Sequence, residues 1–246
     1  MMMMRGLLMM AMLGPGLVQA AELRVVSSGA YRAALVEMAP ALERETGHKL
    51  TIGNETAGGV AQRVKAGEVL DLVVLPPSNA AGLAGLIGPV VALAKVGIGM
   101  AVKEGAAGPD VSTVAGVRAA VLAARAPAWI DPAAGGSSGI YMAGLWAKWG
   151  IAGELAGKAV LVHGGLVSDK IRSGEADLAF QQMSELTGAP GVAVLGPLPA
   201  EIQNYTTYSG AVPASSTQKG AAGEVLAWLA GPHAAGALRA RGMETP

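Results

Sequence analysis

Short apolar runs alternate with segments of helical period along almost the whole chain, and most joins between them are built from glycine, serine and threonine. Residues 23–28, 49–54 and 71–75 read as strands. Residues 30–46 and 59–66 read as helices that stop at Gly47 and Gly67, where the left-handed conformation that closes a helix is open. Strand and helix in regular succession favour parallel strands with helical crossovers, hence an open α/β sheet. The stretch 90–102 is long for one strand and can bend at Gly97 and Gly99, so it is expected to cross out of a first lobe. A helix over 113–124, strands over 128–131, 159–163, 178–182 and 192–195, and intervening helices then build a second lobe. Residues 205–212 look like a return crossing, followed by helices over 219–230 and 232–241. The expectation is a two-lobed α/β fold, lobe 1 being 21–94 plus 205–246 and lobe 2 being 95–204, with the binding crevice between them.

The turns carry the chemistry. Ser27-Ser28-Gly29, Thr56-Ala57-Gly58-Gly59, Gly135-Gly136-Ser137-Ser138-Gly139 and Gly164-Gly165 each join a strand-like run to a helix-like one. Such a turn aims hydroxyls and free backbone N–H groups at one spot, and the helix dipole favours an anion there. Ser209-Gly210 falls in the return crossing instead. Residues 135–139 also spell G-x-S-x-G, but Pro132-Ala133-Ala134 separates the serine from its strand, whereas a hydrolase nucleophile follows its strand directly.

Residues 1–20 have the pattern of a secretory signal: Arg5, an apolar stretch over 6–18 and the small-residue end Val18-Gln19-Ala20, with cleavage expected after Ala20. That stretch is shorter than the roughly 20 residues that span a bilayer. A second apolar candidate, 86–102, is broken by Pro89, Lys95 and glycines. The mature chain is therefore expected to be soluble, periplasmic or secreted, and long enough to bury its own core. It contains no cysteine, which excludes disulfides and thiolate metal sites. Eighteen basic against eighteen acidic residues give no basic field for nucleic acid, and one Phe, four Trp and four Tyr offer few stacking surfaces. His48, His163 and His233 are dispersed, so no metal and no cofactor is expected. Nothing signals oligomerisation, which leaves a monomer as the expectation.

The stretches Val26-Ser27-Ser28-Gly29, Ala41-Leu42-Glu43-Arg44-Glu45-Thr46-Gly47, Ala57-Gly58-Gly59, Gln62-Arg63-Val64-Lys65-Ala66-Gly67, Asp71-Leu72-Val73-Val74 and Gly174-Glu175-Ala176-Asp177-Leu178-Ala179 resemble, in order and spacing, the periplasmic solute-binding proteins of the molybdate-binding type. The resemblance covers nearly the whole chain after the signal. It implies a type II periplasmic-binding fold, two hinge strands, closure around a small anion and delivery to an ABC permease. Carried over position by position, it puts ligand contacts at Ser27 or Ser28 with Gly29, at Thr56 or Ala57, at Gly136, Ser137 and Ser138, and at Leu166 and Val167. Gln181 and Gln182 stand where a molybdate site has a tyrosine, which points away from molybdate. A narrower resemblance is carried by Ser27-Ser28-Gly29-Ala30, Asp131-Pro132, Gly164-Gly165, Gln181-Gln182 with Ser184-Glu185, and Gly196-Pro197-Leu198-Pro199. These are similar to a subgroup that includes exported aconitate isomerases, and they imply a di- or tricarboxylate ligand. Arg32, one turn into the first helix, could then fork onto a carboxylate. If the ligand is isomerised, His163, which ends a strand at Gly164, or Glu185 would shuttle the proton. The broader resemblance favours the receptor, since no catalytic base is secured, and a cofactor-independent isomerase is the alternative.

Overall fold

The computed structural model describes residues 20–246, and the expected signal, Ala20 apart, lies outside the described residues. In chain order, β1 (Glu22–Ser28), α1 (Gly29–Thr46), β2 (Lys49–Glu55), α2 (Ala57–Lys65), β3 (Leu72–Leu75) and α3 (Pro77–Ala81) lead to β4 (Val91–Val96) and β5 (Ile98–Lys103). Then come α4 (Val114–Ala123), β6 (Pro127–Ile130), α5 (Ser137–Lys148), α6 (Ala152–Ala156), β7 (Val160–Val162), α7 (Val167–Ser173), β8 (Leu178–Gln182) and α8 (Met183–Leu186). β9 (Val192–Pro197), β10 (Thr206–Ala211), α9 (Lys219–Leu229), α10 (Ala235–Ala240) and β11 (Met243–Glu244) complete the chain.

The strands form two sheets, ordered β11-β4-β10-β3-β1-β2 and β7-β6-β8-β5-β9. β1 runs parallel to β2 and β3, and β6 parallel to β7 and β8. β10 runs antiparallel to β3 and β4, and β5 antiparallel to β8 and β9. The stretch 90–102 is thus two strands in two sheets, and the change falls at Gly97. A Cβ at Gly97 would lie 2.9 Å from the Gln203 amide. That amide accepts from the Ile98 N–H at 2.8 Å and donates to the Ile98 carbonyl at 2.9 Å, which fastens the two connections between the sheets side by side.

Alternation along each strand sends neighbouring residues to opposite faces, and helices cover both faces of each sheet. In the first sheet Leu23, Val25, Leu72 and Val74 pack with Tyr31, Leu35 and Leu42 of α1, while Val26, Val73 and Leu75 pack with Val60 and Val64 of α2. In the second, Met100, Trp129 and Phe180 pack with Leu145 and Trp146 of α5, while Ala101, Ala128, Ile130 and Ala179 pack with Val167 and Ile171 of α7. This two-sided cover is why β3 and β6, buried at every position, read as unbroken apolar runs. Trp146 has the Phe180 ring at 5.2 Å and the Trp129 ring at 5.9 Å, an aromatic cluster the first sheet lacks among the described residues. At about 1.5–3 kcal/mol per fully buried large apolar side chain, these clusters supply the cohesion of a chain without cysteine.

Candidate functional site

A crevice of about 250 Å³ lies at the carboxyl ends of the parallel strands, between the two sheets. Ser28, Gly29 and Ala30 line it where β1 passes into α1, and Asn54, Glu55, Thr56 and Ala57 where β2 passes into α2. Facing them are Ile130 at the end of β6, Gly136, Ser137 and Ser138 at the start of α5, Gly164 and Gly165 before α7, and Gln182 and Glu185 where β8 passes into α8. Tyr208 of β10 completes the lining, which includes no lysine, arginine or histidine.

Three helices of nine or more residues begin here, and their first turns differ. Ser28, the N-cap of α1, makes no side-chain cap bond, and its buried Oγ has no partner among the described residues. Gly136, the N-cap of α5, has no side chain to cap with. The first intrahelical bond of α5 runs from the Ile140 N–H to the Gly136 carbonyl at 3.1 Å, which leaves the Ser137, Ser138 and Gly139 N–H groups without helical partners. α2 is already satisfied in part: Thr56 Oγ1 accepts from the Gly59 N–H at 3.0 Å and Glu55 Oε1 accepts from the Thr56 N–H at 2.8 Å. Glycine is required at Gly139, because a Cβ there would collide with the Ile130 carbonyl on which α5 is seated. Beside the lining, a Cβ on Gly58 would lie 3.5 Å from the Gly135 Cα, so the two walls meet at a pair of glycines.

α8, from the second sheet, packs on α1. Ser184 Oγ donates to the Ala30 carbonyl at 2.7 Å, and a Cβ on Gly29 would lie 2.5 Å from Glu185 Oε1. The carboxyl of Glu185 is therefore pressed against the start of α1, and what exposure the residue keeps opens where it lines the crevice. Burial pushes it up to about 8, partly offset by a hydrogen bond with Gln181. Burial, and then the neighbouring Glu185, pushes the Tyr208 phenol well above its ordinary range, against hydrogen bonds with Gln182 and Ser137. Gln182 Nε2 donates to Thr206 Oγ1 at 3.1 Å and to Tyr208 Oη at 3.5 Å, and its buried Oε1 has no partner among the described residues. Both hydroxyls can donate as well as accept, so this amide can present either end to a ligand.

Of the residues singled out in the sequence, the structure brings together Ser28, Gly29, Thr56, Ala57, Gly136, Ser137, Ser138, Gln182 and Glu185. Ser27 lies outside the lining: it is fully buried and its Oγ donates to the Ser28 carbonyl at 3.0 Å. Arg32 is also outside, its buried Nε without a partner among the described residues. Leu166 and Val167 are also outside the lining, and the Val167 N–H is taken by Gln181 Oε1 at 2.8 Å. Gln181 is thus outside the lining itself and acts behind it, on the turn before α7 and on Glu185. His163 points away with 83% side-chain exposure, its Nδ1 2.9 Å from Asp131 Oδ2. Tyr208, Asn54 and Glu55 escape the sequence reading, although Asn54-Glu55 directly precede the Thr56-Ala57 turn that it singles out.

Among the described residues no helix is long and apolar enough to cross a membrane. A family model described as bacterial extracellular solute-binding protein matches residues 23–244. The chain is 32% identical over 233 residues to an aconitate isomerase from a Pseudomonas species, covering 90% of this chain and 87% of that one. Its fold is similar to that of the periplasmic molybdate-binding protein of Azotobacter vinelandii, with TM-score 0.76 and 20% identity over 91% of this chain and 99% of that one. A sulfate-binding protein of Mycobacterium tuberculosis gives TM-score 0.70 and 16% identity over 91% and 86% of the two chains.

Proposed function

The chain belongs to the bacterial extracellular solute-binding proteins, and on that premise we propose that its crevice captures a small carboxylate or oxyanion with neutral donors. The observation that supports this most is that two uncapped helix starts, α1 and α5, reach one crevice from different sheets with no basic side chain in its lining. Within that class a di- or tricarboxylate is the narrower proposal, supported by the 32% identical relative. We further propose that lobe 1 is 21–94 plus 205–246 and lobe 2 is 95–204, with the sheet change at Gly97 as one hinge strand. The chain would be exported with cleavage after Ala20 and act as a monomer that presents its ligand to an ABC permease.

A second reading, an isomerase of an allylic tricarboxylate, is favoured by the 32% identical relative and by a carboxyl group inside the crevice. In that reaction the ionised Glu185 would take a proton from the methylene carbon. The electron pair of that C–H bond forms the new double bond as the old one shifts onto the far carbon, which recovers the proton from Glu185. The intermediate charge would spread onto ligand carboxylates held by the α1 and α5 N–H groups, so no cofactor is needed.

Calorimetry with cis-aconitate, trans-aconitate, molybdate and sulfate, together with chromatography of the aconitate isomers, tests both readings. Saturable binding with an unchanged isomer ratio is the expected result for a receptor. Turnover at catalytic protein concentration would replace the receptor by the isomerase, and absence of binding by all four would overturn capture itself.

A further inference from the structure

We propose that Glu185 meets the ligand as a neutral carboxylic acid and donates a hydrogen bond to it, so that the crevice takes up its anion together with a proton. The proposal rests on the anion-capture reading and concerns the same site. Its first support is charge: the lining holds two carboxyl groups, Glu55 and Glu185, and no cation. An anion next to two ionised carboxylates in a confined site would be repelled by both. The two acids are not placed alike. Glu55 accepts from the Thr56 N–H at the start of α2, where a negative charge is favoured. Glu185 is wedged against Gly29 beside the Tyr208 phenol and has no ion pair among the described residues.

No packed element supplies Glu185 with a counter-charge. α1 brings Tyr31 and Arg32 near its start and Glu37 further on. Arg32 lies outside the crevice, and Glu37 is paired with Arg241 at 2.8 Å, whose Nη1 also donates to the Thr187 carbonyl. β10 brings Tyr208, β2 ends in Glu55, β5 ends in Lys103 away from the crevice, and β8 and β9 contain no charged residue. The direction in which burial moves the Glu185 carboxyl agrees with this geometry. A neutral acid beside a phenol is an effective donor pair for an oxyanion, because neither group loses a proton near neutrality.

The test is affinity against pH, with trans-aconitate and sulfate as probes that stay ionised over pH 7–9.5. Above about pH 8 the wild-type affinity is expected to fall about tenfold per pH unit. Glu185→Gln, which keeps a donor and cannot ionise, should show no such fall, whatever its affinity at pH 7. A flat wild-type profile, or a fall retained in the glutamine variant, overturns the proposal. Carbon-13 titration of the Glu185 carboxyl in the ligand-free protein decides independently of folding by the variant, and a midpoint in the ordinary carboxylate range overturns it. If neither probe binds at any pH, the capture reading fails by itself, and the carbon titration still decides whether the acid is neutral.

Discussion

The starts of α2 and α5 face the same crevice from opposite sheets, yet one has been partly closed by its own chain and the other left open. In α2 Thr56 takes the Gly59 N–H and Glu55 takes the N–H of Thr56 itself, whereas α5 begins with a glycine and keeps the N–H groups of Ser137, Ser138 and Gly139 free of helical partners. α1, with Ser28 unbonded, belongs with α5. A helix start becomes a binding element only where the sequence withholds the cap it could easily have supplied. α2 then serves mainly to carry a wall, and α1 and α5 carry donors.

The largest effect that would test this contrast is at the seat of α5. Gly139→Ala drives a Cβ into the Ile130 carbonyl and is expected to lower the thermal midpoint by ~10 °C or more. Gly58→Ala in α2, whose Cβ would have ordinary contacts, should shift it by ~2 °C at most. Equal shifts would remove the difference between the two seats. Next is the pH dependence of stability without ligand. Glu185 has its folded-state value raised by burial to about 8 from 4.5, so the folded protein holds a proton that the unfolded chain releases between those values. The stabilisation is complete below about pH 4.5 and is lost as pH rises through about 8. Melting curves should show a downward slope of several degrees across that window, and Glu185→Gln should flatten it.

Smaller effects separate donors from caps. Ser28→Ala or Ser138→Ala is expected to weaken carboxylate binding about 5–10-fold by calorimetry, on the ~1 kcal/mol of one neutral hydrogen bond. Thr56→Ala should instead cost ~1 kcal/mol in urea unfolding, with a smaller loss of affinity than either serine variant. The reverse pattern would make α2 the ligand's helix. Smallest of all, Glu55→Gln should raise anion affinity about two- to threefold at low ionic strength, a gain that added salt removes.

The same contrast marks what was legible in the sequence. Turns such as Ser28-Gly29 and Gly136-Ser137-Ser138 announce themselves, because local backbone freedom and local hydroxyls are their whole chemistry. The βα order was equally plain, since buried parallel strands must be apolar on both faces. Tyr208 was hidden because antiparallel pairing of β10 with β3 and β4, far away in sequence, is what brings it to the crevice. The Val167 N–H, expected as a donor to the ligand, is taken by Gln181, a contact between β8 and α7 that no spacing rule reveals. His163 sits beside the right turn, but its side chain goes to Asp131 and solvent.

The glycine pair between the two walls bears on how long a ligand stays. Gly58 and Gly135 bring two backbones edge to edge without interlocking side chains, so parting them uncovers hardly any apolar surface and meets little resistance of its own. The glycine pair then adds little to the barrier against release, which rests on the contact of α8 with α1 and on the bonds to the guest.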